Sequence, residues 1–180
     1  ANAGAPITVF EMTTAAAFLL FAEHPADVLL LEVGLGGEFD ATNVIDTVKA
    51  SVITPISIDH AEYLGPTIEE IAAAKAGIIK KNTPAIVARQ NFPAAETIIE
   101  QKAHRMHAPL FIAGQHYDAH QEDGRLIYRD EAGLLDLPLP RLMGAHQIGN
   151  AGTAIATLRA SGFDFSADVY ERGVRAVEWP

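Results

Sequence analysis

The chain of 180 residues contains no cysteine, which excludes disulfide bonds and thiolate chemistry. It has no apolar run of membrane length, and its first residues do not resemble a secretory leader. Basic residues are few, with 13 Lys and Arg against 23 Asp and Glu and a net charge of −10. Because no basic block is present, we expect neither nucleic acid nor a membrane as a partner and predict a soluble, cytoplasmic protein.

The sequence also lacks the GxxxxGK[ST] pattern of a phosphate-cradling loop. Its most unusual turn is Gly34-Leu35-Gly36-Gly37, and no Lys-Ser or Lys-Thr follows it. Taken alone, such glycines indicate a tight turn after a strand, or an anion site if a helix begins there. With 49% hydrophobic and 20% charged residues, the composition is that of an ordinary globular domain.

Continuous apolar runs bounded by turn residues predict the strands of a buried sheet. We predict a three-layer α/β/α domain with a largely parallel sheet and a small antiparallel flap at 116–137, where short polar and apolar residues alternate. An apolar helix after Thr8 is expected to face the core. The predicted strands are 28–33, 51–58, 84–88 and 109–113, and the later helices are 94–107, 146–158 and 165–177.

Polar side chains follow the first two runs. Glu32 ends one run and Asp59-His60 the other, and ligands of open α/β sheets bind beyond the carboxyl ends of parallel strands. A lone glutamate is as often solvated or a helix cap, and a histidine is usually a surface residue. Their shared position nevertheless makes them candidates for one crevice.

Lys75 lies on a helix that Thr67 is expected to cap, among small residues. A helical lysine is normally a solvated cation. If it is buried, desolvation lowers the pKa of its amine, and the neutral amine can add carbon dioxide to form a carbamate. That modification would turn a cation into an oxygen ligand for a hard metal. Lys80 and Lys81 are expected to face solvent.

Two further groups of polar residues could have a purely structural role. Residues 40–43 are typical of a polar turn or helix cap, and Gln147 and Asn150 can satisfy a helix start or point together toward a ligand. The remaining histidines of the middle region are expected on the surface: His104, His107, His116 and His120.

Three ordered motifs carry a resemblance to a known family. EVGLGGEFDATN, SIDHAEYLG and KAGIIK, with ITVFEMTTAAAFLLFAE before them and GAHQIGNA after them, resemble the folylpolyglutamate synthase/dihydrofolate synthase family, relatives of the Mur ligases. The resemblance implies that residues 1–180 are a fragment of the central ATP-binding domain. The family's upstream GTNGKGS loop and its C-terminal domain are absent from the sequence, so we expect the isolated chain to be inactive.

The resemblance also implies roles for individual residues. Glu32 would hold magnesium between the phosphates, and His60 with carbamylated Lys75 would hold a second Mg²⁺ or Mn²⁺; these three are the predicted catalytic and metal residues. Asn150 would recognise adenine of ATP, supported by His146 and Gln147. Glu38 stands where the family commonly has arginine, which leaves the role of that position open. The implied substrate contacts are Thr8, Phe10, Glu11, Phe39, Asp40 and Ala41.

The implied reaction is ATP-dependent ligation of L-glutamate to dihydropteroate, to folate or to both, through an acyl phosphate, by a monomer. Two alternatives stay open. One is a Mur-type ligase that adds an amino acid to a nucleotide-linked muramoyl substrate, which would use the same Glu32, His60 and Lys75. The other is a folate-binding or nucleotide-binding remnant without catalysis.

Overall fold

The computed structural model describes Gly4, residues 6–163 and residues 165–178, so both ends of the predicted 1–180 domain lie outside the described residues. Helices and strands alternate through the first two thirds, as the three-layer prediction requires. The helices are α1 Val9–Glu23, α2 Ala61–Leu64, α3 Ile68–Ala76, α4 Pro93–Met106, α5 His146–Ala160 and α6 Ala167–Ala176, with a 3₁₀ helix at Ala41–Val44. The strands are β1 Ser51–Ile53, β2 Ala85–Val87, β3 Leu110–Ile112, β4 Tyr117–Glu122, β5 Arg125–Asp130 and β6 Gly133–Pro138.

The central sheet is parallel, with strand order β1-β2-β3. Residues along a strand point alternately to its two faces, and β2 is fully buried, so both faces are covered. Ala85 and Val87 belong to one apolar core, while Ile86 between them belongs to the other.

Helices α3 and α4 cover the first face. The α3 helix starts with a capping box in which the Thr67 hydroxyl accepts from Glu70 N–H and the Glu70 carboxylate accepts from Thr67 N–H. Its apolar side is buried against the sheet, with Ile71 and Ala72 fully enclosed. The side of α3 that carries Ile68, Ile71, Ala72 and Ala76 therefore faces the core.

Helix α5 and a second, antiparallel sheet of order β4-β5-β6 cover the other face. The buried Tyr117 hydroxyl donates to Val87 O at 3.1 Å and lies 3.2 Å from the Thr153 hydroxyl. Burial raises the pKa of Tyr117, which keeps this hydroxyl protonated. The predicted antiparallel region 116–137 is confirmed, and it is packed into this second core.

The strand predicted at 51–58 is too long. β1 ends at Ile53, and Pro55, which has no N–H to donate, follows two residues later. The side chain of Gln90 then replaces strand pairing: its carbonyl accepts from Ile56 N–H at 3.0 Å, and its amide donates to Thr54 O at 3.2 Å.

The strand predicted at 28–33 is wrong. This stretch forms no strand and pairs with none in the described part of the chain, and Leu30 is 88% exposed. The core-facing prediction for α1 is also wrong, because none of its residues is buried. Apolar residues predict burial only where another layer packs against them. Among the described residues, no helix is long and apolar enough to cross a membrane.

Candidate active site

Residues Gly34–Gly37, the glycine loop, lie where three helices meet. The ring of Phe10 from α1 packs against Gly34, and Leu64 from α2 packs against Gly36. Gly37 packs against the backbone of α3, where a Cβ would lie 2.6 Å from Ala74 O and 3.0 Å from the Cα of Lys75. Gly36 has φ +70°, a conformation that glycine adopts without strain. The loop that follows Glu32 therefore joins the helices that carry or follow the other predicted site residues.

Asp40 holds the start of this loop. Its Oδ2 accepts from Gly34 N–H at 3.0 Å and from Leu35 N–H at 2.9 Å, while Oδ1 accepts from the N–H and hydroxyl of Thr42. Burial alone would raise the pKa of this carboxyl, but the hydrogen bonds from Thr42, Leu35 and Gly34 together outweigh it and lower the pKa. Asp40 was predicted as a substrate contact; the structure gives it a role in loop geometry, and the substrate role stays a prediction.

The three predicted metal residues lie on three different elements around the glycine loop. Glu32 precedes the loop and is exposed, and its carboxylate contacts none of the described side chains through a hydrogen bond or ion pair. His60 is the N-cap of α2 with φ +53°, and its ring Nε2 lies 3.7 Å from Asp59 Oδ2. Lys75 lies in the last turn of α3 and is half-buried, and its amine has no partner among the described residues.

In unmodified form these residues offer Mg²⁺ a single carboxylate, so water and the phosphates of a nucleotide would have to complete its octahedral shell. The described residues contain no group of three or more His, Cys, Asp or Glu side chains that could hold a metal ion. Glu32 offers one carboxylate and His60 one imidazole, whereas Mg²⁺ takes mostly oxygen ligands. Lys75 becomes a ligand only as a carbamate. A carbamate on Lys75 would add oxygen ligands for a divalent ion beside Glu32 and His60. The metal site stays a prediction.

The remaining predicted substrate residues lie at the start of α1 or just before and within the 3₁₀ helix. Thr8 and Glu11 cap α1: the Glu11 carboxylate accepts from the Thr8 N–H and hydroxyl, each at 2.7 Å, and these bonds lower the pKa of Glu11. Phe39 is 96% exposed, and Ala41 begins the 3₁₀ helix. Of the six predicted substrate residues, only Phe10 and Phe39 have large apolar side chains that a flat ligand could contact, and both are exposed.

The predicted nucleotide residues lie together at the start of α5. His146 is its first residue, and Asn150 Nδ2 donates to Gln147 Oε1 at 3.0 Å across one turn. This bond fixes the direction of the Asn150 amide and leaves its carbonyl free for a ligand donor. Adenine recognition itself stays a prediction.

Three contacts near the site were not predicted from the sequence. Gln90 replaces strand pairing beyond β1, although a single glutamine after a strand gives no pattern to detect. Lys80 was expected in solvent but is half-buried, and its amine donates to Asn43 O at 3.2 Å. Lys81 is exposed, as predicted. Glu38, the departure from the family pattern, has Oε1 4.0 Å from Lys102 Nζ on α4.

A cavity of about 940 Å³ lies away from these residues, beside β4, β5, α5 and α6. None of the predicted site residues lines it. The guanidinium of Arg159 within it pairs with Asp130 and lies 5.3 Å from the ring centre of Tyr128 and 5.8 Å from that of Tyr170. These contacts fasten α5 to β5 and α6.

Comparison with known proteins agrees with this architecture. A family model described as the Mur ligase middle domain matches residues 4–158. Dihydrofolate synthase/folylpolyglutamate synthase of Escherichia coli K12 is 38% identical over 175 residues, covering 97% of this chain and 40% of that protein. The chain also spans only 42% of the Bacillus subtilis relative, which is 36% identical over 183 residues, or 96% of this chain.

Solved structures agree with the curated relatives. The E. coli FolC structure in complex with DHPP and ADP superimposes with a TM-score of 0.87 at 38% identity, covering 97% of this chain and 40% of that one. An FPGS-AMPPCP-folate complex superimposes with a TM-score of 0.86 at 31% identity, covering 99% of this chain and 45% of that one. The predicted resemblance is therefore confirmed by both sequence and structure.

Proposed function

Because this chain belongs to the Mur ligase middle domain family, we propose that it is the central ATP-binding domain of a longer ligase, the parent protein, which adds L-glutamate to dihydropteroate, to folate or to both. The observation that carries the proposal is the meeting of α1, α2 and α3 on the glycine loop after Glu32. Complexes of similar proteins with DHPP and ADP, and with AMPPCP and folate, support the same substrate classes.

The proposed reaction has two steps, phosphoryl transfer and amide formation. A carboxylate oxygen of the pteroate or folate substrate attacks the γ-phosphorus of ATP, and ADP leaves with the electrons of the broken P–O bond. The amine of L-glutamate then attacks the acyl carbon, the tetrahedral intermediate loses inorganic phosphate, and the amine gives up a proton. Such transfers depend chiefly on positioning and charge neutralisation.

The proposed roles are those that the family resemblance implies, and the positions of the side chains are compatible with them. Asn150, oriented by Gln147, binds adenine at the start of α5, and His146 lies beside them. Phe10 and Phe39 contact the flat ring of the substrate. Glu32, His60 and Lys75 as a carbamate would hold divalent ions, which polarise the reacting phosphoryl oxygens. The carbamate forms when the neutral Lys75 amine adds carbon dioxide and releases a proton.

The Glu38 position bears on substrate choice. In the family an arginine is common at this place, and here a carboxylate faces Lys102 instead. We propose that this exchange weakens binding of the negatively charged glutamate tail of a folate. It would favour dihydropteroate, whose single carboxylate is the reacting group, so that no second carboxylate needs a cation. The cytoplasmic location and the monomeric state stay predictions alongside this function.

The test measures incorporation of labelled L-glutamate by the parent protein with ATP, Mg²⁺, bicarbonate and either dihydropteroate or folate. Glu32→Gln, His60→Ala and Lys75→Ala should each lower kcat by at least about 100-fold, because each removes a charge-stabilising group. Lys81→Ala, an exposed lysine nearby, should leave kcat unchanged.

Two outcomes would contradict the proposal. Ligation by the parent protein of an amino acid to a UDP-muramoyl substrate, with no activity on pteroate or folate, would assign it to the Mur branch. Binding of folate or nucleotide by the parent protein without any ligation would assign a non-catalytic role. Glutamate ligation by the isolated 180-residue chain would contradict the expectation that it is inactive alone.

A further inference from the structure

The glycine loop and the C-terminal end of α3 approach so closely that no side chain fits between them. A Cβ on Gly77, the residue after α3, would lie 2.3 Å from the Cβ of Glu38 and 2.6 Å from its Cα. Gly37 makes the matching approach to Ala74 O and to the Cα of Lys75. Non-bonded carbon atoms normally lie about 3.5–4.0 Å apart. Two glycines far apart in the sequence thus form one contact between backbones, which we name the glycine lock.

Backbone conformation does not explain the glycine at position 77. Its φ of −57° and ψ of −19° are right-handed helical values that any residue adopts. Alanine adopts these angles without strain, so the conformation itself gives glycine no advantage at this position. Glycine is therefore needed at position 77 because Glu38 leaves no room for a side chain there.

Hydrogen bonds fix the register of the lock. The backbone N–H of Glu38 donates to Ala74 O at 2.9 Å, directly beside Lys75 in the sequence. On the other side, Asn43 Nδ2 donates to Glu38 O at 3.0 Å, and Lys80 Nζ donates to Asn43 O at 3.2 Å. The segment between residues 37 and 43 is thereby fastened to α3 and to the residues that follow it.

We propose that Gly77 is a positioning residue for Lys75. By letting the loop lie directly on the last turn of α3, it fixes the Lys75 backbone against the segment that carries Glu32. The lock itself follows from the contacts of the described residues, whereas the role given to Lys75 rests on the proposed function. Gly77 touches no substrate; it acts through the residue two positions before it.

The lock is tested in the 180-residue chain by hydrogen exchange. In Gly77→Ala, the protection factor of the Glu38 amide should fall at least tenfold relative to that of Ile86 in β2, which reports opening of the sheet. Gly173→Ala is the matched control, because Gly173 lies in α6 and nothing beyond its chain neighbours and its own helix backbone lies within 4 Å of its Cβ position. Adding Glu38→Gly to Gly77→Ala removes the atom at 2.3 Å and should restore part of the protection. Equal protection in every variant would overturn the lock.

The positioning role is tested by kinetics of the parent protein. Gly77→Ala should lower kcat at least tenfold with the KM for ATP changed less than twofold, Gly173→Ala should change neither, and the Glu38→Gly companion should recover part of kcat. In a Lys75→Ala background, Gly77→Ala should cause no further loss. Additive losses, or a wild-type kcat in Gly77→Ala, would overturn the positioning role. A wild-type parent protein without ligation would overturn the proposed function, while the protection factors decide the lock separately.

Discussion

Helices α1 and α3 begin with the same type of cap, but α3 is packed against the core and α1 is exposed. Each starts with a capping box, Thr8 with Glu11 in α1 and Thr67 with Glu70 in α3. Yet α3 buries four residues against the parallel sheet, and α1 buries none although it is the more apolar helix. The difference teaches that capping decides where a helix starts, while a neighbouring layer decides which side is buried.

The largest predicted difference between the two helices lies in truncating an apolar side chain. Ile71→Ala in α3 should lower the free energy of unfolding by about 3 kcal/mol, because it leaves a cavity in a fully buried position. Leu19→Ala in α1 should change it by less than about 0.5 kcal/mol, since Leu19 is 68% exposed. Urea unfolding followed by circular dichroism measures both, and equal losses would erase the comparison.

Removing the two caps should give a smaller difference. Thr67→Ala should cost about 1 kcal/mol of the free energy of unfolding, because α3 belongs to the main core. Thr8→Ala removes the same type of cap, but it should lower only the local helicity of α1, measured by amide exchange of residues 9–13. A comparable loss of global stability in Thr8→Ala would mean that α1 folds as one unit with the core.

The smallest effect concerns the loop between these regions. Hydrogen bonds to Asp40 hold its folded pKa below the unfolded value of about 3.9, so its stabilising effect is complete above that pH and is lost as pH falls through the lower folded pKa. The amide shifts of Gly34 and Leu35 should therefore titrate together with a midpoint below about 3.9.

Asp40→Asn serves as the control for this titration, because its amide has no titrating group, although it replaces one of the two accepting oxygens by an NH2 donor. In this variant the shared transition of the Gly34 and Leu35 amides should disappear. A midpoint at or above the unfolded value in the wild-type chain would show that the carboxylate does not hold the loop.

The central fold was predictable because its signals are local. The continuous apolar runs at β2 and β3, the Thr67 cap and the alternation in 116–137 each report a structure formed by nearby residues. The stretch 28–33 carries the same apolar signal as β2 and is not a strand, since periodicity carries no information about a pairing partner.

Some residues of the candidate site were also predictable from the sequence, and others were not. The motifs predicted Glu32, His60 and Lys75 as site residues, and the helices that carry or adjoin His60 and Lys75 pack on the loop that follows Glu32. The contacts that support the site could not be predicted from the sequence. The Gln90 side chain bonds to residues more than 30 positions earlier in the chain, and Gly77 in the sequence is indistinguishable from an ordinary glycine at a helix end. Packing distances of this kind exist only in three dimensions.

The most direct measurement is a crystal structure of the parent protein soaked with Mn²⁺, bicarbonate and a non-hydrolysable ATP analogue. Our account predicts anomalous peaks for manganese beside the carboxylate of Glu32 and the imidazole of His60, with density for a carbamate extending from the Lys75 amine. Unmodified Lys75, with the three side chains directed to separate places and no manganese near them, would contradict it.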